Sequence, residues 1–511
     1  MAITRCPMKV LLQLLVQIGL SLTSEFSRSM KVAYDPAHVH DLEEFATRDV
    51  NVAISFPQNE FLANEINNFS LSIESYRPDV ASSAGSSESL SRSDFMFDNQ
   101  SSQYTAVTVI TLKGNTLGKT GMKVKLVPAS GWLEMDESAA KPLVSRQHEV
   151  DQPGILDVWV VRSKDSVKWT KCFVASVVIL ISLANVMMGC ELDIDAVFET
   201  LKKPVAPAIG LFAQFFIMPT LAYIIAYAIF VPRGQYSMAL GLFVTGCSPG
   251  GGASNFWTLL LGGNLNLSVT MTFISTLFSL VLMPTWLYFA GTPFLQGFSS
   301  NSTIKIPYGN ITRSLASLVL PLLIGVAIKK WKPTWAAKAR QVMRPFVVFV
   351  LVFVIVFGTM TNLYMFRMIT VPALIGGLAL PWCGFMFGCF TALITNRNPK
   401  DVTAIAVETG IQNTGIAILL LKASFGQPDS DIGSVIPVIV ACFTPGPLLL
   451  GAAVHLTIKA LRKRRAVEHD CEVGEKGKIP SGDIALIPTQ NQLFLVDPTV
   501  KQRESEIPAS A

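Results

Sequence analysis

From Thr200 to Lys400 the chain contains neither an aspartate nor a glutamate, and from 172 to 458 it is almost continuously apolar. A water-facing fold needs carboxylates over its surface, so a stretch this long without them folds against lipid. A bilayer core of about 30 Å takes about 20 helical residues per crossing. The apolar half divides into nine segments of that order, near 172–190, 205–230, 236–262, 265–290, 312–328, 342–363, 371–395, 401–422 and 432–458. With half of 511 residues apolar and 15% charged, composition excludes both an ordinary soluble globule and a disordered chain.

The N-terminal part reads differently. Arg5 and Lys9 precede the apolar run VLLQLLVQIGL, and small residues follow at Gly19, Ser21 and Thr23. Residues 1–23 are therefore expected to be a signal peptide, the alternative being a short first membrane anchor. Residues 24–165 are polar and alternate with a period of two in YTAVTVITL and GMKVKLVP, with turn residues at Gly114-Asn115 and Pro128 to Gly131. That pattern predicts a small β-rich, sandwich-like extracellular domain. The Ser-rich stretch Ser82 to Ser93 is expected to be a mobile loop. Sequons at Asn68 and Asn99 suit a glycosylated outer face. No cysteine lies between Cys6 and Cys172, so this domain has to hold without internal disulfides.

Charge sets the expected orientation. With nine spans and the β domain outside, the inner loops carry Lys202, Lys203, Lys329, Lys330, Lys332, Lys338, Arg340, Arg344, Arg397 and Lys400, and Lys459 and Arg462 to Arg465 follow the last span. The outer loops carry only Arg233, Lys305, Arg313, Arg367 and Lys422, together with sequons at Asn301 and Asn310. This is the positive-inside bias. Arg162, Lys164, Lys168 and Lys171 run against it, but a signal peptide would already have committed that domain to translocation. The expectation is a multi-pass protein of the plasma membrane, N-terminus outside, with a disordered cytosolic tail over 459–511.

Two interruptions break the apolar pattern. GCSPGGGASN (Gly246 to Asn255) falls in the third segment and ETGIQNTG (Glu408 to Gly415) in the eighth. In hydrocarbon a helix can unwind only where the freed N–H and C=O groups meet protein, water or ions. Broken helices of opposite direction point to inverted repeats whose breaks cross at the bilayer midplane and form a site. Close glycine-mediated helix packing is the alternative for Gly250 to Gly252. The expected fold is thus an all-α polytopic membrane bundle of about nine transmembrane helices with inverted repeats and two crossed broken helices, preceded by the β-rich domain. Glu408 is the one acid well inside a span, roughly 10 Å along its helix from Asp401. A charge at such depth costs about 2.5 to 3.5 kcal/mol. Pairing with Lys or Arg, or protonation, would relieve that cost; a bound cation is the reading preferred here.

The runs CSPGGGASN, LNLSVTMT, QFFIMP and ETGIQN resemble the bile acid:sodium symporter family, over essentially all of 172–458. The long N-terminal extension is similar to the branch of that family that carries one. The resemblance implies two sodium sites where the broken helices cross. One would use Ser254, Asn255, Ser268, Thr272 and Glu408. The other would use Gln214, Glu408, Gln412 and main-chain carbonyls near Thr409 and Ile411, with Asn413 facing a substrate cavity. A hard monovalent cation wants oxygen ligands, which these residues supply. Cys190, Cys247, Cys383, Cys389 and Cys442 have no metal-site spacing and read as packing residues.

The function expected is sodium-coupled symport of a bile acid or sulfated steroid-like anion, with sodium as coupling ion and no cofactor. The expected partners are sodium, a small organic anion and the lipid bilayer, with no nucleic acid and an unspecified protein partner for the β domain. An enzyme is not expected, because only His455 of the five histidines lies in a span and paired carboxylates are missing there. The alternative is a receptor or adhesion-like protein whose bundle no longer transports.

Overall fold

The computed structural model describes residues 30–63, 68–85, 89–99, 101–128, 154–295 and 308–476. The signal-peptide expectation and Asn301 lie outside these residues, as does the tail beyond Lys476.

The polar N-terminal segment folds into ten strands and one short helix: β1 (Lys31–Asp35), β2 (His38–Glu43), β3 (Thr47–Pro57), α1 (Gln58–Ala63), β4 (Asn68–Ser75), β5 (Ala81–Ser83), β6 (Ser89–Ser91), β7 (Met96–Asp98), β8 (Gln103–Gly114), β9 (Gly118–Pro128) and β10 (Ile155–Val161). One sheet has the order β1-β3-β8-β5, with β7 also on β8; the other has the order β2-β10-β9-β4-β6. All pairings are antiparallel except β2 with β10. Alternation places Val50, Val52, Ile54 and Phe56 of one sheet and Leu71, Met122, Val124, Leu156 and Val158 of the other in a shared core. Phe56, Phe61, Phe69 and Phe95 cluster there with ring centroids 5.1 to 6.2 Å apart. Each such side chain contributes about 1.5–3 kcal/mol of apolar burial, which is how the domain coheres without disulfides.

The expectation of a mobile loop over Ser82 to Ser93 needs correcting. Ala81–Ser83 pairs with the end of β8, and Ser89–Ser91 pairs with β4. Ala81 and Leu90 are the reason: both are buried and pin short edge strands whose other residues are polar. Composition averaged over the stretch hides these two anchors.

The remainder is helical: α2 (Lys164–Glu191), α3 (Ile194–Lys202), α4 (Val205–Phe212), α5 (Met218–Ile229), α6 (Tyr236–Gly246), α7 (Ala253–Leu260), α8 (Leu265–Ala290), α9 (Thr292–Leu295), α10 (Tyr308–Trp331), α11 (Pro333–Thr361), α12 (Leu363–Arg367), α13 (Val371–Ile394), α14 (Pro399–Gly410), α15 (Thr414–Ser424), α16 (Asp429–Gly433), α17 (Val435–Phe443) and α18 (Pro445–Lys476). Among the described residues, five helical stretches are long and apolar enough to cross a membrane: Lys164–Glu191, Val205–Arg233, Leu265–Ala290, Val371–Ile394 and Asp429–Ile458. Tyr236–Gly246 and Thr414–Ser424 are shorter apolar helices. Large apolar side chains such as Phe216, Phe256, Phe289, Met386 and Leu450 stand exposed, which is costly against water and favourable against lipid. The chain divides into two compact units at Ala452/Ala453. The described part of the second is helical to Lys476, so α18 continues past the boundary expected at 458.

Three local features position the site. Ala213–Ile217 forms a π-helical turn between α4 and α5, and this turn carries Gln214; such bulges are frequent at functional positions. α6 ends at Gly246, four residues before Gly250, and α7 resumes at Ala253. α14 ends at Gly410, and α15 starts after Asn413, whose side chain caps it by accepting from the Ile416 N–H at 3.2 Å.

Candidate functional site

The two breaks foreseen in the sequence meet each other. Gly250 and Gln412 form an isolated antiparallel bridge. The Gly251 N–H donates to Ile411 O and the Asn413 N–H to Pro249 O, each at 2.9 Å. Backbone groups released by unwinding each helix are thus satisfied by the other, as a nonpolar surround requires. Glycine keeps the carboxylate in place here, because a Cβ at Gly250 would lie 2.2 Å from Glu408 Oε1 and the carboxylate would have to shift.

Around this bridge the polar side chains are almost wholly buried: Gln214, Ser248, Ser254, Ser268, Thr272, Ser275, Glu408, Thr409 and Gln412. Glu408 Oε1 accepts from Thr272 Oγ1 at 2.8 Å, and its Oε2 lies 3.3 Å from Ser268 Oγ. Ser268 Oγ is 2.9 Å from Asn255 Oδ1, and Ser254 Oγ is 3.3 Å from Thr272 Oγ1. Ser254, Asn255, Ser268, Thr272 and Glu408 are therefore one cluster of oxygens. On its other side Gln214 Nε2 donates to Ser248 O and to Gln412 Oε1, both at 2.8 Å, and Gln412 Nε2 donates to Thr409 O at 2.7 Å. Gln214, Thr409 and Gln412 form a second cluster, while the Ile411 carbonyl accepts from Gly251 in the bridge beside it.

Charge and satisfaction separate this place from a closed core. No ion pair links Glu408 to a Lys, Arg or His among the described residues. Among the described residues, the buried oxygen Gln214 Oε1 has no hydrogen-bond partner. Gln214, Ser275 and Glu408 reach a small cavity whose other walls are apolar, formed by Pro207, Leu211, Met271 and Ile274 with Gly210. A buried carboxylate with hydroxyls around it and an amide oxygen nearby are a donor set for a hard cation.

Other expected positions fare differently. Asn413 is half-buried and its side chain is engaged in capping α15. Asn68 and Asn99 are exposed in the β domain, and Asn310 lies in the first turn of α10. Sequence reasoning missed Ser248 and Ser275. Ser248 Oγ donates to Thr245 O at 2.7 Å and lies 3.4 Å from Gln412 Oε1. Ser275 Oγ accepts from the Gly250 N–H at 3.3 Å. The signal for Ser275 was present: Ser268, Thr272, Ser275 and Ser279 follow one another at intervals of three and four, one face of a helix.

A second polar cluster, also missed, joins the β domain to the helices. Lys119 of β9 pairs with Asp429 at 2.6 Å, and Asp429 Oδ1 accepts from Ser237 Oγ at 2.7 Å. Asp431 is buried, pairs with Lys422, accepts from Tyr364 Oη at 3.0 Å, and lies 3.9 Å from Arg162. The Arg162 guanidinium stacks over the Tyr364 ring at 4.2 Å and donates to Thr361 O at 3.0 Å. Leu117, in the β8–β9 turn, packs into the helical core. Nearby, half-burial raises the carboxyl of Glu44 above its ordinary range, although Arg367 and Arg162 oppose the shift.

Comparison with known proteins agrees with the geometry. Residues 178–368 match the model of the Sodium Bile acid symporter family. The chain is 32% identical over 303 residues to the "Ileal sodium/bile acid cotransporter" of Oryctolagus cuniculus, covering 58% of this chain and 83% of that protein. It is 30% identical over 311 residues to the protein of the same name from Homo sapiens, covering 60% and 84%. It is also 29% identical over 262 residues to the "P3 protein" of Mus musculus, where the match covers 51% of this chain and only 54%, about half, of the relative. The extent of the match to the ileal cotransporters, together with motifs that fold into one crossing, means that the chain belongs to the sodium bile acid symporter family.

Proposed function

We propose that this protein is a sodium-coupled symporter of an organic anion, of bile acid or sulfated steroid-like chemistry, working by alternating access. The observation that carries the reading is the crossing itself, where a buried Glu408 has hydroxyl and amide neighbours but no cationic partner among the described residues. One sodium ion is assigned to Ser254, Asn255, Ser268, Thr272 and Glu408. The other is assigned to Gln214, Glu408, Gln412 and the carbonyls of Thr409 and Ile411. Both of those carbonyls already accept one hydrogen bond, and a carbonyl oxygen has a second lone pair to offer. Asn413 is assigned to the edge of the anion cavity, its side chain reoriented from the capping position when substrate binds.

Nine crossings, built as inverted repeats that rock against each other, are the architecture proposed for this cycle, and the opposed directions of the two breaks support it. The N-terminal domain is placed outside the plasma membrane and the C-terminus in the cytoplasm, on the strength of the lysines and arginines of the loops. Each sodium ion moving inward would release about 2.3 kcal/mol per 100 mV and about 1.4 kcal/mol per tenfold concentration ratio. Two ions therefore suffice to concentrate a monovalent anion. A non-transporting receptor has no use for a buried, uncompensated carboxylate.

The test is uptake of labelled taurocholate and of a sulfated steroid into cells expressing the chain, with sodium or choline outside. Sodium-dependent uptake is the expected outcome. Failure of both substrates, with the protein at the surface, would count against this substrate class.

A further inference from the structure

We infer that the β domain carries a binding site for a divalent transition-metal ion, formed by His38, His40 and Asp157. The strand pairing creates it. His38 and His40 are two residues apart on β2, so both project from the same outer face, while Val39 between them is fully buried. β10 lies beside β2 in parallel with Asp157 in register with His38, and on β10 the buried residues Leu156 and Val158 flank Asp157 and turn it outward. One ligand atom from each of the three residues lies within 4.8 Å of the others.

The chemistry selects the class of ion. Two imidazoles and one carboxylate suit zinc, copper or nickel, and leave a position for water; calcium and magnesium prefer sites made wholly of oxygen. Ligands of a tetrahedral zinc stand about 3.3 Å apart, given zinc–nitrogen distances of about 2.0 Å. His40 Nε2 already lies 3.1 Å from Asp157 Oδ2, and the exposed His38 ring stacks beside His40 with centroids 5.4 Å apart. An outer shell is also in place. Trp159 Nε1 donates to Asp157 Oδ2 at 2.9 Å, which fixes the carboxylate, and the Trp159 ring stacks on His40 with centroids 3.9 Å apart. Groups of this kind orient metal ligands and tune affinity. A surface ladder of stacked rings would need no carboxylate held by an indole on the same face.

The site also adjoins the contact with the helices. Lys119 Nζ sits over the Trp159 ring at 4.3 Å and pairs with Asp429. Trp159, which touches His40, is thus one side chain away from the junction.

The experiment is zinc binding to the full-length protein in detergent, stripped with chelator and measured by calorimetry and equilibrium dialysis against zinc chloride. The histidine variant His38→Ala/His40→Ala alters exposed side chains only, and its thermal unfolding is compared with wild type to establish that it folds. The wild type is expected to bind one more zinc per chain than this variant. Asp157→Asn is expected to weaken that extra zinc, and Trp159→Phe to weaken it by about tenfold or more. Equal zinc stoichiometry in the wild type and the histidine variant would overturn the inference, as would an extra zinc whose affinity Asp157→Asn leaves unchanged.

Discussion

Two buried acids in this protein have opposite surroundings. Asp431 is held by Lys422, by Tyr364 and at longer range by Arg162, so its charge is met within the chain. Glu408, equally buried, meets the hydroxyls of Thr272 and Ser268 and, among the described residues, no Lys, Arg or His. Both acids are expensive to bury. The first cost is offset permanently, which suits a joint; the second is left open, which suits a site completed by a travelling cation.

The sharpest test of that contrast exchanges each carboxylate for a neutral group. Glu408→Gln is expected to reduce sodium-dependent uptake to background at matched surface level while leaving the thermal unfolding temperature close to wild type. Asp431→Ala is expected to do the reverse first. It strands Lys422 and Arg162 without their counter-charge and is expected to destabilise by about 3–5 kcal/mol, read as lost surface protein and early unfolding. Asp431→Ala combined with Lys422→Met is expected to recover part of that loss. Comparable destabilisation by both single variants would break the comparison, since Glu408 would then be a structural partner like Asp431.

A smaller effect distinguishes position from charge at the crossing. Gly250→Ala puts a methyl 2.2 Å from Glu408 Oε1, whereas at Gly252 the nearest atom is Met188 Sδ at 3.7 Å. Gly250→Ala is expected to raise the sodium concentration needed for half-maximal uptake several-fold, and Gly252→Ala to leave it unchanged. An unaltered sodium dependence in Gly250→Ala would mean that the carboxylate lies elsewhere during ion binding.

The crossing was legible in the chain because its chemistry is local. Pro249 and three glycines in one apolar run, and Glu408 beside Gly410 in another, each violate the expectations of a membrane helix within a few residues. Ser268 and Thr272 came from the resemblance of the run LNLSVTMT to the family, and Ser275 lies three residues beyond that run. The joint was not legible, because its partners are scattered: Lys119 on β9, Arg162 after β10, Lys422 at the end of α15 and Asp431 in a five-residue helix. In the sequence Arg162 was a basic residue on the wrong side of a span and Lys422 an ordinary loop lysine. Arg162 meets Asp431 only through the fold, across 269 residues of chain, and Lys422 meets it across the turn between two helices. The edge strands at Ala81 and Leu90 were hidden for a related reason, since a single buried residue in a serine-rich stretch carries no period.

The smallest predicted effect concerns the outer rim of the joint. Lys119 and Asp429 keep 21% and 11% of their side-chain surface exposed, so water screens their attraction more than that of Asp431. Lys119→Gln is expected to cost only about 1 kcal/mol, the upper end of what an accessible ion pair contributes. A double-mutant cycle with Asp429→Asn isolates the pair, because Asp429 also accepts from Ser237 and Lys119 also covers Trp159. If the β domain is rigidly fixed, the coupling should be the same in sodium and in choline. A coupling that changes with the cation would mean that the joint moves with the crossing. Ser237 opens α6, which ends at the first break, and α15, which starts at the second, ends beside Lys422. The two helices that leave the breaks thus both reach the joint, and a cation-dependent coupling would turn the contrast between the two acids from a static difference into a mechanical one.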